Sequence, residues 1–176
     1  MAAYDGKVVV VTGASQGIGK ALCRELAPQR PRLVLAARDA SALEGVAAEC
    51  RARGAETLVV PTDVSEEAAC RALVEATVAR FGGVDVLVNN AGMGMLARFE
   101  DVTDLSLYER LMRVNYLGSV YPTFYALPHL RRANHRWSGP AGRISCRLAR
   151  RPFAQRFLPG RGRGLRVPAA PGHHLS

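Results

Sequence analysis

The chain has 176 residues, 48% of them apolar, enough for a single domain to bury a sizeable core. No run approaches the roughly 18 consecutive apolar residues of a membrane helix, and Met1 to Asp5 lacks the apolar centre of a secretion signal, so a cytoplasmic protein without a membrane partner is expected. The formal charge of +9 is segregated: residues 1–109 hold 11 Lys/Arg against 15 Asp/Glu, a net −4, whereas residues 110–176 hold 13 Arg and no acid, a net +13.

In chain order, Lys7 to Thr12 is a continuous β-branched run that suits a strand buried on both faces. A glycine-rich turn follows at once, then Ile18, Ala21, Leu22 and Leu26 at helical spacing from Gly17 to about Pro28. Further strands are expected at Arg32 to Ala37, Thr57 to Pro61 and Val84 to Asn89. Helices are expected between them, at about Ser41 to Arg53 and at Glu66 to Phe81, the latter opened by Ser65. From Leu105 to about Leu130, apolar residues recur at helical spacing and predict a long core helix, with a bend at Pro122. Gly142 to Cys146 would start a fifth strand. Arg147 to Ser176 is Arg, Pro and Gly without periodicity, and no packed structure is expected there. Strand and helix alternation of this kind predicts an α/β protein with a doubly wound parallel sheet of the Rossmann type, incomplete at its C-terminal end. The corresponding division is a dinucleotide-binding unit at 1–146 and a tail at 147–176.

The four cysteines, Cys23, Cys50, Cys70 and Cys146, form no CxxC pair and read as buried or idle thiols. His173 and His174 adjoin, but no carboxylate or thiol stands at ligand spacing, so no metal site is expected. Few aromatic residues, Trp137, Phe153 and Phe157, stand among the tail's arginines, and no nucleic-acid partner is expected.

The chemistry concentrates at Thr12-Gly13-Ala14-Ser15-Gln16-Gly17-Ile18-Gly19. Glycines between a strand and a helix permit a tight turn and let backbone N–H groups approach a pyrophosphate at the helix N-terminus. With Asn89-Asn90-Ala91-Gly92 after the fourth strand, this segment resembles the short-chain dehydrogenase/reductase family over roughly residues 5–130. The resemblance implies an oxidoreductase that interconverts a small-molecule carbonyl and alcohol by hydride transfer to or from a nicotinamide cofactor. It further implies cofactor contacts from Gly13, Ser15, Gln16, Gly17, Ile18 and Gly19, an adenine contact at Asp63-Val64, cofactor-bordering roles for Asn90, Ala91 and Gly92, and support of a proton relay by Asn115. At the end of the second strand stands Ala36-Ala37-Arg38-Asp39: Ala37 occupies the usual acidic position and Arg38 follows, a pattern suited to pairing with a 2′-phosphate and hence to NADP(H) over NAD(H). Asp39, one place late, suits a helix cap.

One part of the family pattern fails. Its Tyr-x-x-x-Lys pair, in which a lysine lowers a tyrosine's pKa from about 10 so that it can exchange a proton with the alkoxide, does not occur: the lysines are Lys7 and Lys20, and the last tyrosine is Tyr125. Ser145 comes too early for the family's catalytic serine. These departures argue against turnover and against the family's homo-oligomer, whose interface helix is missing, and they raise the alternative of a non-catalytic dinucleotide-binding module. An Arg-, Pro- and Gly-rich composition is what out-of-frame reading of a GC-rich message yields, so a frameshift or alternative splice near residue 146 is expected, and the source gene read in all three frames tests it.

Overall fold

The computed structural model describes residues 3–134. The expected strand at 142–146, the tail, Trp137, His173, His174 and Cys146 lie outside the described residues. Four parallel strands, β1 (Val8–Thr12), β2 (Arg32–Ala37), β3 (Glu56–Pro61) and β4 (Val86–Val88), form a sheet in the order β3-β2-β1-β4. The chain thus moves outward from β1 through β2 to β3, then crosses back to pair β4 against the other side of β1. This reversal makes the gap between the C-terminal ends of β1 and β4 the switch point, where doubly wound folds bind ligands.

The helices are α1 (Gly17–Leu26), α2 (Ala40–Arg51), α3 (Glu67–Phe81), α4 (Ser106–Met112) and α5 (Gly118–Asn134), with a π-helical turn, Arg113–Leu117, joining the last two. The strands' two-residue alternation divides the core. Val9, Val11, Leu33 and Leu35 pack with Cys23, Leu26, Leu43, Val46 and Cys50 of α1 and α2, while Val8, Val10, Val34 and Ala36 pack with Leu73 and Val74 of α3 and Ala126 and Leu130 of α5. Each strand of the centre is therefore apolar on both faces, which is why its sequence reads as a run and not as an alternation.

Three expectations need correction. Ser65 does not cap α3: the cap position is Glu66, without a side-chain cap bond, and the Ser65 amide and hydroxyl both donate to Asp63 Oδ1 instead, at 2.9 and 2.7 Å. The single long helix is two helices broken by the π turn, and Pro122 and Pro128 both lie inside α5 without ending it. Nor is it a core helix throughout: α4 buries no residue, and Met112, Tyr116, Val120 and Phe124 are exposed. Its periodicity marks an amphipathic surface of which only part, at Ala126 and Leu130, meets the sheet. Asp39 does cap α2, accepting from the Ala42 amide at 2.9 Å.

Cys23, Cys50 and Cys70 are buried free thiols. Burial first, and the neighbouring Cys50 second, push the Cys23 thiol up to about 12; burial and the carboxylates of Asp63, Glu66 and Glu67 push Cys70 up to about 11. These thiols stay protonated at neutral pH and behave as small apolar side chains. No helix among the described residues is long and apolar enough to cross a membrane.

Candidate functional site

The sheet is parallel, so the residues after β1, β2, β3 and β4 all emerge at one edge. There they bring Gly13, Arg38, Asp63 and Asn90 into one row of loops. The glycine turn and the β4 loop sit against each other across the switch point. Gly13 takes φ +67°, and a Cβ on it would lie 2.8 Å from Ala91 Cα and 2.9 Å from Asn90 Nδ2. Gly19, in the first turn of α1, is more confined: a Cβ would enter the Gly13 carbonyl and come within 2.6 Å of Asn90 Nδ2. The two glycines therefore serve close packing of turn, helix and β4 loop.

Gly17 is different. It opens α1 with φ +55°, is exposed, and nothing lies within 4 Å of where its Cβ would be. Gln16 is the N-cap residue in extended conformation, makes no side-chain cap bond, and no acidic residue occupies the first turn. The helix thus presents backbone N–H groups and its positive end to open space, a fit for an anionic phosphate group. Ser15 is half-buried and Ile18 is 68% exposed beside them.

What joins the loops is the first residue of the glycine motif, to which the sequence assigns no role of its own. Thr12, the last residue of β1, is fully buried; its Oγ1 accepts from the amides of Asn90 and Ala91, each at 3.0 Å, and donates to the Val88 carbonyl at 3.4 Å. Asn90 answers with its side chain, Nδ2 donating to the carbonyls of Thr12 at 3.0 Å and Gly13 at 3.2 Å. The signal in the sequence is a hydroxyl at a strand end otherwise made of valine, next to a glycine.

On the β2–β3 side of the row, Arg38 is exposed at the end of β2. Burial acts to raise the Asp63 carboxyl, but the two hydrogen bonds from Ser65 and the positive charge of Arg38 together hold it below its ordinary value. Val64 is buried behind it. At the other end, Asn115 lies in the π turn and grips one residue of the β4 loop twice: Oδ1 accepts from the Met93 amide and Nδ2 donates to the Met93 carbonyl, both at 2.9 Å. A Cβ on Gly92 would sit 3.2 Å from Asn115 Oδ1. Asn89 Nδ2 donates to Thr123 Oγ1 at 2.9 Å and to the Ser119 carbonyl at 3.3 Å, and Ser119 Oγ donates to the Asn115 carbonyl at 3.3 Å. The structure therefore gathers Gly13, Ser15, Gln16, Gly17, Ile18, Gly19, Arg38, Asp63, Val64, Asn90, Ala91, Gly92 and Asn115 along one edge of the sheet. Thr12, Met93, Ser119 and Thr123 are the supporting residues whose roles sequence reasoning missed. Among the described residues, no group of three or more His, Cys, Asp or Glu side chains is placed to hold a metal ion.

A parallel sheet with a glycine turn and an uncapped helix end at its switch point defines a dinucleotide-fold α/β protein. The profile of one family, described as short chain dehydrogenase, matches residues 7–145, and the chain belongs to that family. It is 45% identical over 133 residues to an 11-beta-hydroxysteroid dehydrogenase of Pinus massoniana, covering 75% of this chain and 37% of that one, and 46% identical over 132 residues to 11-beta-hydroxysteroid dehydrogenase A of Sesamum indicum, covering 74% and 38%. The chain thus spans less than two-fifths of these relatives' length. Among solved structures it resembles an alcohol dehydrogenase from Thermococcus sibiricus complexed with 5-hydroxy-NADP (TM-score 0.71, 36% identity, 74% of this chain and 55% of that chain). It also resembles an NADH-dependent reductase A1-R′ complexed with NAD (TM-score 0.67, 34% identity, 75% and 55%).

Proposed function

We propose that this chain binds NADP(H) along the sheet edge, as the cofactor-holding part of an oxidoreductase that interconverts a small-molecule carbonyl and an alcohol. The observation that carries the reading is the open, uncapped N-terminus of α1 at the switch point, with Gly17 exposed and nothing within 4 Å of its Cβ position. In this reading the backbone of Gly13 to Gly19 cradles the pyrophosphate, with Ser15, Gln16 and Ile18 lining it. Arg38 pairs with the 2′-phosphate, and Asp63, held ionised, accepts from the adenine amino group beside Val64. Asn90, Ala91 and Gly92 form the wall against which the nicotinamide end rests, and Asn115 fixes that wall by its grip on Met93. The bound cofactor supplies the hydride; the chain's residues hold, orient and shield it. The unit that does this is proposed to span residues 1–146.

The test is titration of the full chain with NADPH and NADH, following reduced-nicotinamide fluorescence, on the native chain and on Arg38→Ala. Arg38→Ala should weaken NADPH binding by about 10–100-fold, the loss of one charge-assisted phosphate contact, and leave NADH nearly unchanged. Equal affinity of the native chain for both cofactors would refute the assignment of Arg38. The relatives' name makes a hydroxysteroid and its ketone the substrate pair to assay first.

A second reading, a dinucleotide-binding module without turnover, is favoured by the lysines. Lys7 pairs with Asp85 at 3.7 Å and Lys20 with Glu49 at 3.5 Å, and the sequence holds no other lysine to lower a tyrosine's pKa. Saturable NADPH binding with no carbonyl-dependent oxidation of NADPH supports this module; measurable oxidation supports the enzyme.

A further inference from the structure

We propose that Gly118 is a positioning residue that couples the adenine-side loop to the nicotinamide-side loop; this rests on the cofactor reading given above. Gly118 has ordinary right-handed helical angles, φ −63° and ψ −12°, so its backbone does not need glycine, and alanine would favour the helix more. The reason for glycine is contact. A Cβ on Gly118 would lie 2.7 Å from Val64 Cγ2, 3.1 Å from Val64 Cβ and 3.3 Å from the Val64 carbonyl oxygen. Val64 cannot step aside: it is buried, and a β-branched side chain has few χ1 choices.

The helix cannot retreat either. Three residues before Gly118, Asn115 holds Met93 by two hydrogen bonds; one residue after it, the Ser119 carbonyl accepts from Asn89. Moving the start of α5 away from Val64 therefore drags on both ends of the Asn89–Met93 loop. Pushing it against Val64 displaces the neighbour of Asp63, whose carboxylate is held by Ser65. One glycine thus sets the spacing between two loops that lie on opposite sides of β1, through direct packing on one and a hydrogen-bonded helix turn on the other.

The experiment is a double-mutant cycle on the full chain: native, Val64→Ala, Gly118→Ala and the double variant. Two quantities are read, NADPH affinity by fluorescence and hydrogen exchange of the Met93 and Ser65 amides by NMR. Gly118→Ala should weaken NADPH about tenfold and speed exchange at Met93 about tenfold, because an extra methyl in a packed contact displaces the backbone. Val64→Ala removes the nearest of the three atoms, Cγ2 at 2.7 Å, and leaves Cβ at 3.1 Å and the carbonyl oxygen at 3.3 Å, so the double variant should fall clearly short of the sum of the two single effects in both readouts. Additive effects, or an unchanged Met93 amide in Gly118→Ala, overturn the coupling. If the native chain binds no NADPH, the cofactor reading falls while the exchange cycle still decides the coupling. Should Gly118→Ala prove unfolded by circular dichroism, restoration of the folded spectrum by Val64→Ala supports the contact, and failure to restore it overturns it.

Discussion

Replacing Thr12 by valine separates two accounts of what holds the candidate site together. Valine matches threonine in shape, suits a central strand, and is already its neighbour at Val11, so packing and strand propensity alone make Thr12→Val neutral or stabilising. The hydrogen bonds say otherwise. The substitution leaves the amides of Asn90 and Ala91 and the Val88 carbonyl without their partner. An unsatisfied buried donor costs about 1–3 kcal/mol; Asn90 and Ala91 are half-buried, so the lower end applies to each, and the longer bond to Val88 adds about 0.5, for about 2.5 kcal/mol in all. With a slope of about 2 kcal/mol per molar urea, the unfolding midpoint should fall by about 1.2 M. Thr12→Ser keeps the hydroxyl and loses one buried methyl, about 1 kcal/mol or about 0.5 M. Urea unfolding followed by far-ultraviolet circular dichroism should thus rank native above Thr12→Ser above Thr12→Val. A Thr12→Val midpoint at or above that of the native chain refutes the view that this hydroxyl holds the two loops together.

Other substitutions probe the neighbouring contacts. Gly19→Ala drives a methyl into the Gly13 carbonyl and Asn90 and should abolish measurable NADPH binding, a loss of about 100-fold or more by fluorescence titration. Asn115→Leu keeps the branching at Cγ and removes both bonds to Met93; the Met93 amide should exchange about tenfold faster while global stability changes by less than about 1 kcal/mol, since this contact is near the surface. Cys23 predicts an alkaline loss of stability. Its folded pKa is raised above the unfolded value of about 8.5, so its contribution is complete below pH 8.5 and fades as pH rises toward about 12. At pH 10 that is 1.5 pH units, or about 2 kcal/mol, and Cys23→Ala should lose about 2 kcal/mol less than the native chain between pH 8 and pH 10 in urea melts.

The parts of the fold legible in the sequence are those whose physics is local. Val8 to Val11 and Leu33 to Ala36 announce themselves as strands because short continuous apolar runs bounded by turn residues suit a strand buried on both faces. The glycine turn is legible because its spacing follows from a steric demand, which Gly13 and Gly19 now show as close approaches to Asn90 and Ala91. Ser65 is ambiguous in sequence because a serine before a helix can bond forward to the helix or back to an aspartate, and only the path of the chain decides. Thr12 opens the glycine motif and its hydroxyl stands out at a valine strand's end, but its role is not legible there, because its partners are 76 to 79 residues away.

The segment after Leu105 shows how periodicity can be right about conformation and wrong about burial. Met112, Tyr116, Val120 and Phe124 recur every four residues and are exposed, so their spacing reports a helix stripe and not a core. An ideal α-helix turns about 100° per residue, so steps of four drift by about 40° each and would spiral off one face. The π turn at Arg113–Leu117, with its wider ring, rotates less per residue and offsets part of that drift. The same turn carries Asn115 to Met93 and delivers Gly118 to Val64. A sequence scan for α-helical spacing treats such an insertion as noise. Here the irregularity sits where α4 gives way to α5 and meets both loops of the sheet edge, Met93 through Asn115 and Val64 through Gly118, so the break in the pattern marks the candidate site more specifically than the pattern does.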